Sequence, residues 1–162
     1  MEQLLLSFAT WLESTRFSEA MTYRGVWPTV EAIHFLGLTL LLGTVVFLDL
    51  RMLGVAKQLP LGPLHQLVLP WALTGFGIML ITGSLLTVGM ATNYVGNWAF
   101  YLKVFAILLA GVNALAFYLT VSREVEALGP GEDAPPLAKM IAGASLVLWF
   151  SVLTFGRFIS LY

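Results

Sequence analysis

The stretch "WPTVEAIHFLGLTLLLGTVVFLDLRML", residues 27–53, decides the fold. From Pro28 to Leu50 it is apolar apart from Glu31, His34, Asp49 and five small hydroxyl or glycine positions. About 20 such residues, at 1.5 Å rise each, cross the hydrocarbon of a bilayer. The whole chain shares this character: of 162 residues, 59% are hydrophobic and 10% charged. The mean hydropathy is +0.88, beyond the range of soluble domains. An integral membrane protein follows.

Three further runs of the same kind lie downstream, so the expected spans are residues 28–50, 70–90, 98–121 and 136–160. Pro28 and Pro70 suit a first helical turn, Asn97 an N-cap, and Pro135-Pro136 the start of the last helix. The fold expected is all-α, an antiparallel four-helix bundle forming a single membrane domain over residues 1–162. Residues 1–24 open with "MEQLLLSFATWLESTRF", where Leu5, Phe8 and Leu12 recur at helical spacing. This segment lacks a basic leader, and Glu13 and Arg16 interrupt it, so it reads as an amphipathic helix on the membrane surface rather than a signal peptide. The segment "PLGPLHQLVLP" before residue 70 reads as a second short surface helix.

Composition also excludes partners. A net charge of −1 gives no basic face for nucleic acid. Without cysteine there are no disulfides, thiolate metal sites or cysteine nucleophiles. The partner implied directly is the lipid bilayer. Four spans place both termini on one side, termed side A. Arg51, Lys57, Arg123 and Lys139 lie in the loops on side B, whereas the side A flanks carry Arg16 and Arg24, with Lys103 and Arg157 just inside the spans, a modest bias toward side B. Positive residues are retained in the cytoplasm, so the expectation is a multi-pass protein of the inner membrane with periplasmic termini.

The depth of the ionisable groups carries the functional signal. Glu31 and His34 lie within roughly 5–10 Å of side A, and Lys103 and Arg157 at much the same depth on two other helices. Intramembrane charges lean functional by default, although long side chains near helix ends also reach the headgroups. A cluster of structural ion pairs is the competing reading. His34 and His65 fall near opposite faces, too far apart to ligate one iron. The E-x-x-H pair Glu31/His34 occurs once, whereas a di-iron bundle needs it twice. Haem b needs one strong protein ligand, which His34 can supply, and cations for its propionates, which Lys103 and Arg157 can supply. Gly37 offers room for a macrocycle, and Met90 is the candidate second ligand. Asn113 and Trp149, near midplane, fit hydrogen bonding across helices. Asp49 and Arg51 fit the setting of a helix end. Tyr23, Trp27, Tyr94, Trp98 and Tyr101 fit an interfacial belt.

The segments from Trp27 to Leu53 and "LDLRMLG", "LPWALTGFGIMLITG", "NWAFYLKV", "GVNALAF" and "APPLAKMIAGASLVLWFSVLTFGRFI" together resemble a widespread bacterial family of small four-span membrane proteins without an assigned activity. The architecture is more distantly similar to copper-resistance D proteins and to HemJ-type porphyrinogen oxidases, the latter associated with haem. That resemblance implies a redox or metal role. The expected function is therefore a b-type haem protein passing electrons near the outer face, alone, as a homo-oligomer or within a membrane redox complex. The alternatives are a transporter for copper or another small solute, and an accessory subunit without cofactor.

Overall fold

A computed structural model describes residues 2–161. Seven α-helices follow in order: α1 Glu2–Glu13, α2 Arg16–Thr22, α3 Val26–Met52, α4 Leu61–Gly89, α5 Trp98–Thr120, α6 Ser122–Glu126 and α7 Pro136–Phe158. Single 3-10 turns cover Ala91–Tyr94 and Ile159–Leu161. The architecture is the expected all-α bundle. Four helices, Val26–Met52, Leu61–Gly89, Trp98–Thr120 and Pro136–Leu161, have mean hydropathies of 2.0, 1.7, 2.0 and 1.7 and are long enough to cross a membrane. Their outer faces carry large exposed apolar side chains such as Phe35, Leu36, Leu80, Leu108, Leu119 and Phe150. Such a surface suits the lipid of a bilayer, whose hydrocarbon a helix can cross because it satisfies its interior backbone groups within itself.

The helix ends follow local chemistry. Asn97 caps α5: its Oδ1 accepts the amides of Ala99 at 3.1 Å and Phe100 at 3.2 Å. Its Nδ2 donates to the Ile159 carbonyl at 3.2 Å, tying the start of α5 to the end of α7. Helix α3 stops at Gly54, which takes φ +103°. There the Val55 amide bonds the Leu50 carbonyl at 2.9 Å and the Gly54 amide the Arg51 carbonyl at 3.1 Å, the two bonds of a Schellman motif.

Two expectations are corrected. The N-terminal segment is two helices, because Thr15 caps α2, its hydroxyl accepting the Ser18 amide. Helix α4 begins at Leu61 and runs through Pro70 without a break. Proline removes one ladder bond, but Leu61, Leu64, His65 and Val68 form a buried stripe at i, i+3, i+4 and i+7. Burying that stripe outweighs one missing bond. Leu61 joins Met52, Phe117, Val121, Val125, Ala134, Ala138 and Ala142 in the core at side B. Gly62 packs on the backbone of Glu126, whose carbonyl occupies the space a Cβ would need.

Packing divides the bundle into hairpins. α3 lies along α4 and α5 along α7, and the pairs meet mainly where α3 touches α7. The α4 and α5 backbones stay apart and meet through side chains at side B, where the His65 ring lies against Phe117. At the α3–α4 crossing a Cβ on Gly75 would stand 2.7 Å from the Leu41 amide nitrogen, and one on Gly37 2.6 Å from Ile78. These glycines let the two backbones approach closely.

Candidate functional site

His34 leaves α3 toward α4, where its Nδ1 lies 2.8 Å from the Thr82 hydroxyl. That hydroxyl has one proton and donates it to the Ile78 carbonyl at 2.6 Å. Its oxygen must therefore accept from His34, which assigns the ring proton to Nδ1. Nε2 then carries the lone pair, and it has no hydrogen bond among the described residues. The ring lies over Gly83, where a Cβ would sit 3.3 Å from Cε1. Orientation through Nδ1 with Nε2 left open is how proteins prepare a histidine to bind a metal.

Lys103 reaches the same layer from α5. It is half-buried, its chain lying over Gly156 of α7, where a Cβ would stand 3.7 Å from Nζ. It is within electrostatic range of His34 and has no carboxylate partner among the described residues. Glu31 is exposed on the rim and faces the turn Ala91–Tyr94. Burial, and then the Glu31 carboxylate, push the Tyr94 phenol above its usual range.

The remaining expected members are elsewhere. Arg157 is exposed and donates to Ser160 at 2.9 Å at the end of its own helix. Gly37 opens no space for a macrocycle, since Ile78 and the Gly75 carbonyl fill it. Met90, 42% exposed beyond the end of α4, lies seven residues past Gly83, about 10 Å along the axis. The competing ion-pair cluster does not form: among the described residues the ion pairs are Lys57–Asp133, Lys139–Asp133 and His65–Glu126. No group of three or more His, Asp or Glu gathers there to cage a metal.

Residues the depth argument passed over line a second site. A cavity of about 500 Å³ lies between α3, α4, α5 and α7 in the half toward side B, walled largely by apolar side chains. Its polar lining includes Asp49, His65, Asn113, Ser145 and Trp149. Asp49 is 4% exposed; the Ser145 hydroxyl faces its carboxyl from α7, and its Oδ2 has no partner among the described residues. His65, 5% exposed, pairs through Nδ1 with Glu126 of α6 at 3.1 Å, and its ring lies against Phe117. Asn113 makes the cross-helix bond expected of it, donating to the Ile141 carbonyl at 3.1 Å. The stripe Leu61, Leu64, His65, Val68 was the signal that could have placed His65 inside.

Arg51 points the other way from Asp49. It is 1% exposed and donates to the carbonyls of Leu59 at 2.6 Å, Lys57 at 2.9 Å and Glu132 at 3.3 Å. One guanidinium thus joins the α3–α4 loop to the segment before α7.

No curated protein and no solved structure matches this chain. The model of DUF6644, a family of unknown function, matches residues 8–162, and this four-span membrane protein belongs to that family.

Proposed function

We propose that this protein holds a b-type haem at the side A layer and passes electrons there, alone or as a subunit of a membrane redox complex. It sits in the inner membrane with both termini periplasmic. The observation that carries the reading is the open Nε2 of His34, fixed by the Thr82 contact to Nδ1. Lys103, half-buried without an acidic partner, supplies the cation that a propionate requires. The modest charge bias that assigns side B to the cytoplasm supports the orientation. Bound there, the group would supply one-electron redox chemistry. The chain's own part is to offer the Nε2 lone pair, to hold the ring through Thr82 and to neutralise a carboxylate with Lys103.

The test is the absorption spectrum of the purified protein, produced with ample haem, before and after reduction. A Soret band that sharpens on reduction is expected, at one haem per chain. His34→Ala should abolish it and His65→Ala should leave it intact. Equal haem content in these two variants would refute the assignment.

A further inference from the structure

The cavity toward side B lies apart from the His34 layer. Its volume, about 500 Å³, falls within the range of about 300–1,000 Å³ in which small-molecule pockets lie. It lies among α3, α4, α5 and α7, within the length of all four apolar helices, and the α4 and α5 backbones stay apart beside it. A compound drawn from the bilayer suits such a place. Phe76, Phe117 and Trp149 stand in its walls and offer ring faces to a planar head group. Gly111 and Ala114 leave the α5 wall shallow.

Polarity is concentrated at one end. Asp49 lies one turn before the end of α3 and His65 one turn after the start of α4. An octapeptide loop joins these two helices, so both side chains belong to the side B end. Asp49 keeps a buried oxygen without a partner among the described residues, which is unfavourable, the more so if it is charged. His65 donates from Nδ1 to the Glu126 carboxylate; in the neutral ring Nε2 is then an acceptor. Both groups line the cavity, and where the carboxyl is neutral a single hydroxyl serves the two, donating to Nε2 and accepting from the carboxyl.

We infer that this cavity binds a lipid-soluble ring compound bearing hydroxyl groups, of the quinol class, with a hydroxyl between His65 and Asp49 and the tail leaving between α4 and α5. Asp49 and His34 are fifteen residues apart on one helix, about 22 Å along it, and the site exists without any group bound at His34. An aliphatic alcohol offers the same hydroxyl but no ring for the aromatic walls.

Calorimetric titration of the full chain in lipid nanodiscs, prepared free of haem, tests this inference. The probes are a short-tailed benzoquinol, its quinone, and a linear alcohol of equal tail length. Saturable binding of the quinol is expected, with the quinone and the alcohol each about tenfold weaker or more, since the first lacks the donor and the second the ring. Asp49→Leu and His65→Phe should each weaken the quinol about tenfold. Ala114→Phe, on an exposed part of the wall, should abolish binding while the helical circular dichroism spectrum stays unchanged. Absent saturable binding, equal affinity for quinol and quinone, or a correctly folded Ala114→Phe protein that binds normally would each overturn the inference. Equal affinity for the linear alcohol would overturn the ring assignment.

Discussion

Replacing Arg51 with Met should be among the most damaging single changes outside the membrane interior. The methionine keeps most of the volume but removes donors from three carbonyls: Leu59 at 2.6 Å, Lys57 at 2.9 Å and Glu132 at 3.3 Å. Bonds from a charged donor contribute about 1.5–3 kcal/mol each, and an unsatisfied buried carbonyl costs about 1–3 kcal/mol. Two effects reduce the total. Lys57 and Glu132 are exposed residues, so water can reach their carbonyls, and removing a buried cation recovers its desolvation cost. A net loss of about 3 kcal/mol remains, led by the short bond to Leu59. For a soluble domain of this length each kcal/mol shifts the midpoint by about 2–4 °C, so a fall of about 6–12 °C is expected in detergent. Arg51→Lys should fall between wild type and Met, because one ammonium cannot span three carbonyls in a fixed fork. Intrinsic fluorescence followed through thermal unfolding measures all three proteins. An Arg51→Met midpoint within about 2 °C of wild type would show that the three contacts do not hold the loops together.

Three other outcomes are expected. Thr82→Val keeps the shape beside His34 but removes the acceptor for Nδ1, so haem affinity should fall about 10–100-fold with the fold intact, as read by haem titration; unchanged affinity would dismiss the positioning role. Gly75→Leu drives a side chain into the α3 backbone, where even a Cβ would stand 2.7 Å from the Leu41 nitrogen. It should cost about 1–3 kcal/mol or more, seen as a lower unfolding midpoint, whereas Gly77→Leu, with nothing within 4 Å, should be tolerated. Lys57 and Lys139 hold the Asp133 carboxyl below its usual range, so the stability it contributes persists above the unfolded value of 3.8 and fades as pH falls through the lower folded value. The stability difference between wild type and Asp133→Asn should therefore close in strong acid and shrink with salt at neutral pH; a difference that grew on acidification would contradict the sign.

Hydropathy made the four spans legible, since length and apolar character alone require them. The caps at Asn97 and Pro135 were legible because cap chemistry is local. The start of α4 was not, because Pro70 looked like a first turn while the reason it stays inside the helix is burial of Leu61 and Val68 by distant segments. For the site, counting residues gave depth but not direction around the helix. His34 and Lys103 share both, and they stand in one layer. Arg157 shares only depth and turns to Ser160. Gly37 has the right depth but faces Ile78. The cavity was invisible to any reading of single helices, because it arises from which pair of helix backbones stays apart.

The two-hairpin packing also gives the bundle one weak seam. The most extensive contacts join segments that follow one another in the chain, α3 with α4 and α5 with α7, and the sparser α3–α7 seam holds the hairpins together. The space enclosed by all four helices exists only when that seam is closed. A molecule occupying that space binds the closed seam and not the separated hairpins, and by mass action it favours the closed bundle.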